Sequence, residues 1–338
     1  MLITSNQIAK YCDVVYSQNI THKEFKNIDK STISVILQNE DYIFYKMKEF
    51  VLKENDLIFC NTYMIEELFK NLNGVQAFKN IKIVTNQNDQ AISKKLFESK
   101  PGCISEWYSI NVKHIDEKII PIPLGLANDY SPKNLNTRDF INSNPSNIFE
   151  KKKIHLYLNF RSNTNDHERR KLYDKFSKYN WAKIVQPNQK KSEYLQDLKN
   201  TTFVLCPWGN GLDTHRIWEA LYSGAIPIIK YHHTFNSLKN LPILFVNDYD
   251  EITYDLLSEY IKNLKKADFE LSRLYLDYWI NLFKKNNIED NNKSIRIKTK
   301  ESHYLIFIIK FFLMRKINSY YKKLTYYSKK IVKLFFIN

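Results

Sequence analysis

Short apolar runs alternate with amphipathic segments along most of the chain after residue 50. In the first half, apolar runs predict strands at 57–60, 81–85 and 119–124, with helices between them over 62–72 and 89–97. The first fifty residues show less pattern, apart from a predicted strand at 33–37. Strands separated by helices of this length predict a parallel sheet.

The alternation is more regular in the second half. Strands are predicted at 154–158, 182–185, 203–206, 226–229 and 243–246, and helices at 166–177, 192–198 and 214–222. Helical spacing then continues over 254–285, and the Pro- and Asn-rich stretch 131–150 predicts a linker. We therefore predict the α/β class, with doubly wound domains at 1–145 and 146–290 and a C-terminal segment at 291–338.

Polar residues are concentrated between the predicted strands 203–206 and 226–229, in a tight turn and the first turns of a helix. They are Asn210, Asp213, Thr214, His215, Arg216 and Glu219. At the start of a helix, free N–H groups and the helix dipole favour an anion, and glycines such as Gly211 allow close approach. Helix capping alone would explain Asp213 or Thr214, but not Arg216 and Glu219 one turn further on. The pattern favours a site for a phosphate-bearing ligand.

Residues 206–227 resemble the signature of exostosin-like glycosyltransferases. Within them, Glu219, Gly224 and Pro227 resemble the Glu-x4-Gly-x-Pro element of GT-B transferases, which have two Rossmann-like domains, with one more residue between the glycine and the proline. Upstream segments at 107–111, 122–128 and 158–169 agree with this resemblance, which covers roughly residues 50–250. It implies a GT-B fold, with two Rossmann-like domains facing a cleft, and a glycosyltransferase that uses a nucleotide sugar.

The resemblance implies roles for the residues of the turn. Arg216 would bind the diphosphate and stabilise it as a leaving group, because a guanidinium can contact two phosphate oxygens. Asn210, Gly211 and the N–H groups of residues 213–215 would form an anion nest. Glu219 would accept hydrogen bonds from the ribose hydroxyls.

Four donor-side residues keep alternatives open. Asp213 or Thr214 would be the N-cap of the helix with or without a ligand. His215 would either donate to a phosphate or cover the start of the helix. Arg161, after the first strand of the second domain, would contact the diphosphate or else pair with a nearby acid.

The acceptor hydroxyl needs a base from the first domain, and Glu106, His114 and Asp129 are the candidates beside family-like segments. For each of them an exposed loop charge is the better-supported interpretation of the sequence. GT-B enzymes generally stabilise the diphosphate with helix dipoles and basic side chains. We therefore expect a metal-independent reaction without a cofactor. The resemblance also implies inversion at the anomeric carbon, since exostosin-like transferases of this type generally invert, and we favour a UDP-sugar as co-substrate.

The formal net charge of +15 is unevenly distributed along the chain. Residues 300–338 hold nine Lys and Arg against one acid, so +8 of the charge lies there. The mildly basic remainder suits a phosphate-bearing substrate as well as nucleic acid. Four scattered cysteines without a C-x-x-C pair suggest neither a zinc site nor a disulfide framework.

Basic pairs recur every seven residues near the C-terminus, at 315–316, 322–323 and 329–330, with apolar residues between them. This spacing predicts a basic amphipathic helix in the membrane interface. The apolar stretch 304–314 is much shorter than the roughly 20 residues that a bilayer crossing needs. A coiled-coil dimerisation helix and a helix docked on the protein body are the alternatives.

Together these patterns predict a glycosyltransferase of polysaccharide or lipopolysaccharide biosynthesis, without a signal peptide and peripheral on the cytoplasmic face of the membrane. Its predicted partners are a nucleotide sugar, a glycan or lipid-linked glycan, and an anionic membrane surface bound through residues 303–338. Nucleic acid is not expected. The alternative is a non-catalytic basic protein of the same fold that binds nucleic acid or scaffolds partners.

Overall fold

A computed structural model describes residues 1–299, apart from 151, 265, 290 and 291, together with residue 313. The described chain forms a seven-stranded sheet, a five-stranded sheet and a two-stranded ribbon, with helices packed against them. Among these residues, no helix has the length and apolarity needed to cross a bilayer. The basic pairs of the predicted C-terminal helix lie outside the described residues.

The seven-stranded sheet belongs to the first half of the chain and has the order β2-β3-β1-β5-β6-β7-β8. The strands of this half are β1 (Val14–Ile20), β2 (Ile33–Gln38), β3 (Ile43–Met47), β4 (Glu49–Lys53), β5 (Leu57–Asn61), β6 (Ile81–Asn86), β7 (Ile104–Ser109) and β8 (Ile119–Pro121). Its helices are α1 (Ser5–Lys10), α2 (His22–Phe25), α3 (Ile65–Leu72) and α4 (Lys94–Glu98).

This first sheet is mixed, and the strands predicted after residue 50 are parallel as expected. Strands β1, β5, β6, β7 and β8 are parallel, whereas β3 pairs antiparallel with both β1 and β2. Every residue of β5 and β6 is buried, as expected of strands covered on both faces. The antiparallel strands come from the part of the chain where the pattern was least clear.

The five-stranded sheet of the second half is parallel throughout, with the order β10-β9-β11-β12-β13. Its strands are β9 (Ile154–Leu158), β10 (Ala182–Ile184), β11 (Thr201–Leu205), β12 (Ile226–Lys230) and β13 (Leu244–Val246). The helices are α5 (Asp166–Phe176), α6 (Lys191–Lys199), α7 (His215–Tyr222) and α8 (Tyr254–Leu264). This order is that of the predicted doubly wound sheet, and the bounds of the predicted strands are confirmed to within two residues.

The last described elements return to the first sheet. Helix α9 (Leu276–Lys284) places its Phe283 ring 4.6 Å from that of Tyr108, and the buried Lys82 Nζ donates to the Phe283 carbonyl at 2.8 Å. Strand β14 (Ser294–Lys298) then pairs antiparallel with β4. The predicted tail at 291–338 therefore begins with a strand, because this segment completes a ribbon with the first half of the chain.

Candidate functional site

A cavity of about 730 Å³ lies between the two large sheets. The first half lines it with the loops that follow β6 and β8, and the second half with the loops that follow β9 and β11. In open α/β sheets ligands bind at the carboxyl ends of the strands, which is where these loops begin. All eight predicted donor-binding residues line this cavity, namely Arg161, Asn210, Gly211, Asp213, Thr214, His215, Arg216 and Glu219.

The start of helix α7 is not capped by a side chain. Thr214 is the N-cap residue, but its side chain makes no capping hydrogen bond, and its buried Oγ1 has no partner among the described residues. The first N–H groups of a helix have no acceptor within the helix. The positive end of α7 thus faces a cavity without a capping group of its own, which suits an anionic ligand.

Arg216, in the first turn of α7, is held by stacking rather than by an ion pair. Its guanidinium carbon lies 5.8 Å from the centre of the Phe160 ring. Its buried Nε has no hydrogen-bond partner within the described part of the chain. A buried donor without a partner is costly, and phosphate oxygens would satisfy it.

Arg169 is a site residue whose role the sequence did not reveal, although it lay within the family-like segments. It is 4 % exposed and donates to the backbone carbonyls of Arg161, Pro207 and Trp208 and to Thr164 Oγ1, at 2.6–3.0 Å. Burial and the nearby Arg216 lower the pKa of Arg169 to about 10, so it stays charged at neutral pH. Arg169 therefore ties together the loops that follow β9 and β11 at the cavity wall.

Glu219 lies one turn after Arg216 and is 6 % exposed. The hydroxyl of Tyr194, on helix α6, donates to its Oε2 at 2.7 Å. Burial and the carboxylate of Glu219 raise the pKa of Tyr194, so the phenol remains a donor. The hydrogen bond fixes the carboxylate of Glu219 at the cavity wall. A glutamate on a solvent-facing helix surface would instead be free to rotate.

Asp213 joins the two halves of the chain instead of contacting a ligand through its N–H group. Its carboxylate accepts from the backbone N–H of Leu124 at 2.8 Å and from Trp218 Nε1 at 3.0 Å. Its own N–H donates to Asn111 Oδ1 at 3.1 Å. The predicted anion nest is therefore corrected, because the N–H of Asp213 is already engaged.

The same structure locates the other predicted residues. Arg161 is exposed at the cavity wall, and the acids considered as its partners are engaged elsewhere, Asp166 with Arg170 at 2.5 Å and Glu168 with Asn165 at 2.9 Å. His215 lines the cavity, and its Nδ1 lies 2.8 Å from the Gly125 carbonyl oxygen. Since a carbonyl oxygen only accepts, Nδ1 of His215 carries a proton and donates it in this hydrogen bond.

The candidate bases lie outside the cavity lining. Glu106 contacts the Tyr108 hydroxyl and Asn286 beneath the last helices. Asp129 pairs with Arg138 at 2.9 Å on the surface. His114 packs its ring 5.1 Å from that of Phe97. The structure thus corrects the expectation that Glu106 or Asp129 faces the acceptor hydroxyl, because each carboxylate is held by other side chains away from the cavity.

Two other carboxylates of the first half do line the cavity, those of Asp41 and Asp89. Asp89 follows β6 and lies opposite the turn that precedes α7, because a Cβ on Gly211 would lie 3.1 Å from Asp89 Oδ1. Asp89 is not recognisable as a site residue from the sequence, since it stands in a polar stretch among Asn and Gln. The proximity to Gly211, which is 122 positions away in the chain, appears only in the fold.

One Asp-x-Asp spacing occurs in the chain, at Asp248 and Asp250, and it serves the fold. Asp248 caps a short helical turn and contacts Lys230 at 3.1 Å, and Asp250 contacts Lys175 at 3.2 Å. Neither residue lines the cavity. This spacing is therefore not part of the site.

Residues 138–300, just under half of the chain, match the family described as the RXYLT1 C-terminal domain. RXYLT1 is an exostosin-like xylosyltransferase. No curated protein sequence matches the chain. The matched range contains every predicted donor-binding residue, from Arg161 to Glu219.

Two solved structures are similar to this chain, both at low sequence identity. An α1,3-fucosyltransferase with GDP-fucose is 14 % identical, over 75 % of this chain and 77 % of that one, with a TM-score of 0.30. The GtfA/B complex is 11 % identical, over 70 % of this chain and 55 % of that one, with a TM-score of 0.28. Similarity this distant supports no argument about the site.

The family match confirms the resemblance predicted from the sequence. Residues 138–300 are thus similar to an exostosin-like glycosyltransferase family, and the two α/β sheets that face a common cavity are the arrangement expected of a GT-B fold.

Proposed function

We propose that the protein transfers a sugar from a nucleotide sugar, with a UDP-sugar favoured, to a hydroxyl of a glycan or glycolipid, with inversion at the anomeric carbon. The observation that carries this proposal is the arrangement around α7. An uncapped helix start, the unpaired Nε of Arg216 and the fixed carboxylate of Glu219 follow one another along one wall of the cavity.

Each of these groups has a role in the proposed reaction. The start of α7 and Arg216 bind the diphosphate and stabilise the charge that grows on it as the bond to the sugar breaks. Glu219 accepts hydrogen bonds from the ribose hydroxyls. The remaining wall of the second half is cationic, since the described lining residues there include Arg161, Arg169 and Lys191. This positive charge favours a diphosphate.

The acceptor side needs one group that removes a proton, and we propose Asp89. Of the four carboxylates among the described lining residues, those of Asp213 and Glu219 accept hydrogen bonds from Trp218 and Tyr194. Asp41 and Asp89 remain, and Asp89 is the one beside Gly211. In the proposed step the acceptor oxygen attacks the anomeric carbon, the bond to the diphosphate breaks with its electron pair, and the hydroxyl proton passes to Asp89.

Isothermal titration of the full-length protein with UDP, GDP, ADP and CMP tests the donor assignment, with and without a metal chelator. Binding of UDP in the micromolar range, unchanged by the chelator, is the expected result, because helix N–H groups and arginines replace the cation. Failure of all four nucleotides to bind would reject the proposed donor site. Binding that disappears with the chelator would reject the metal-free mechanism.

We further propose that the protein works as a peripheral protein on the cytoplasmic face of the membrane. The support is the sequence pattern of basic pairs every seven residues in 303–338. Near an anionic surface each Lys or Arg contributes roughly 1 kcal/mol, and added salt screens this attraction. Deleting 303–338 should therefore abolish salt-sensitive sedimentation with phosphatidylserine vesicles while UDP still binds. Equal sedimentation of both forms would end this proposal.

A further inference from the structure

The two walls of the cavity differ in their chemistry. Among the described lining residues, the second half contributes four cationic side chains and two carboxylates. The first half contributes one lysine, two carboxylates, two tyrosines and six side-chain amides. The amides are Asn19, Asn86, Gln87, Asn88, Asn128 and Asn134. A wall rich in amides and tyrosines is suited to a neutral ligand with many hydroxyl groups.

Two aromatic side chains form a fixed pair on this wall. The rings of Tyr42 and Tyr130 lie 5.6 Å apart at an angle of 51°. The Tyr130 hydroxyl accepts from Asn128 Nδ2 at 2.9 Å, and the same amide nitrogen donates to Ser5 Oγ at 2.8 Å. Burial raises the pKa of Tyr130 to about 12, so it is neutral at physiological pH. An aromatic ring held this way offers an apolar face beside polar groups, which is what the C–H face of a sugar ring contacts.

Other amides of this wall are held by side-chain amides behind it. Gln87 Nε2 donates to Asn6 Oδ1 at 2.6 Å, and Asn88 Nδ2 donates to Asn61 Oδ1 at 2.8 Å. Asn86 is fully buried at the cavity wall, and its Nδ2 has no hydrogen-bond partner in the part of the chain that the structure describes. An unpaired amide donor at a cavity wall is available to a hydroxyl oxygen.

We infer that this wall is an acceptor subsite for an uncharged sugar, which packs on Tyr42 and Tyr130 with a hydroxyl beside Asp89. The inference rests on the proposed function, since it names the substrate class of the same cavity. The carboxylates of Asp41 and Asp89 also disfavour a negatively charged sugar. A uronate or a sugar phosphate at this wall would place its charge near two carboxylates with one lysine, Lys133, to offset them. Like charges in a partly enclosed site disfavour such a ligand.

Saturation-transfer NMR on the full-length protein with UDP present tests this inference. The probes are the neutral methyl glycosides of glucose, galactose and xylose, and as anionic counterparts methyl glucuronide and galactose 6-phosphate. We expect saturation transfer to neutral glycosides and little to the anionic ones. Asp41→Asn should increase the signal of the anionic probes, because it removes one of the two repelling charges.

Tyr42→Ala should weaken binding of the neutral glycosides roughly 2- to 10-fold, the range expected for loss of one aromatic contact. Tyr63→Ala is the matched control, because Tyr63 is a partly exposed tyrosine of the same half outside the cavity lining. Equal binding of anionic and neutral probes, no effect of Tyr42→Ala, or no glycoside binding by a UDP-bound protein would each overturn the inference. Glycoside binding without any nucleotide binding would instead reject the proposed function and leave the subsite in place.

Discussion

The imidazole of His215 donates from Nδ1 to the carbonyl oxygen of Gly125 at 2.8 Å, and this hydrogen bond joins the first residue of α7 to the first half of the chain. Gly125 itself has φ of +73°, and its neighbour Leu126 donates to the Ile3 carbonyl at 2.8 Å. The start of the proposed phosphate-binding helix is therefore positioned by a backbone segment that only glycine occupies easily.

Gly125→Ala is expected to lower the free energy of unfolding by at least about 1–3 kcal/mol, the cost of a strained backbone conformation. The added Cβ would lie 2.3 Å from the Ile3 carbonyl oxygen, so the backbone would also have to move. Gly102→Ala is the control, because nothing lies within 4 Å of a Cβ there. Urea denaturation compares the two variants, and equal stability would contradict this account of Gly125.

The sequence predicted the second sheet better than the first for a physical reason. The strands β9 and β11 are short, mostly apolar and mostly buried runs, and polar loops and helices separate them. In the first fifty residues, polar side chains are buried through partners distant in the chain. Lys46 on β3 is 2 % exposed because it pairs with Glu67 at 2.5 Å, and such a lysine looks like a surface residue in the sequence.

The residues proposed for the donor side lie close together in the sequence, whereas those proposed for the acceptor side lie far from them in the chain. Arg216 and Glu219 share one helix turn, so their spacing alone indicated a common site. Asp89 faces Gly211, and Asn111 Oδ1 accepts from the backbone N–H of Leu212 at 2.8 Å, across about a hundred positions of sequence. The periodicity of a single sequence does not indicate which residues so far apart in the chain are in contact.

Arg216→Ala and Glu219→Ala are each expected to weaken nucleotide binding by on the order of 1.5–3 kcal/mol, since each removes a charged hydrogen-bond partner of the ligand. This corresponds to roughly a 10- to 150-fold rise in Kd by titration calorimetry. Arg170→Ala is the control, because Arg170 is exposed and pairs with Asp166 on helix α5. Unchanged affinity in both folded variants would remove the diphosphate and ribose roles from these residues.

Asp89→Asn is expected to reduce kcat roughly 100- to 10,000-fold, the range of a general base, while the Kd for UDP stays the same. Release of UDP from a UDP-sugar, with a neutral glycoside or water as acceptor, measures the rate. Asp129→Asn serves as the control, because Asp129 pairs with Arg138 on the surface. Full activity of Asp89→Asn would exclude Asp89 as the base and make Asp41 the next carboxylate to test.

The stability of the protein should depend on pH through Asp213. Burial raises the pKa of this carboxyl to about 7, although hydrogen bonds from Leu124 and Trp218 lower it in part. In the unfolded chain an Asp has a pKa of about 3.9, so between about pH 4 and 7 the folded protein holds a proton that the unfolded chain has lost. The contribution of Asp213 to the free energy of unfolding therefore falls as pH rises across this window, by at most about 1.4 kcal/mol per pH unit.

Two variants separate this effect from other titrating groups, with urea denaturation at several pH values as the measurement. Asp213→Asn should remove the decline between about pH 4 and 7 whatever its overall stability, because its amide does not titrate. Trp218→Phe removes a hydrogen bond that holds the pKa of Asp213 down, so the decline should continue above pH 7. If the profiles of wild type and Asp213→Asn run parallel, the pH dependence belongs to other residues. If the Asp213→Asn profile loses the decline while the Trp218→Phe profile matches that of wild type, Asp213 titrates but Trp218 does not set its pKa.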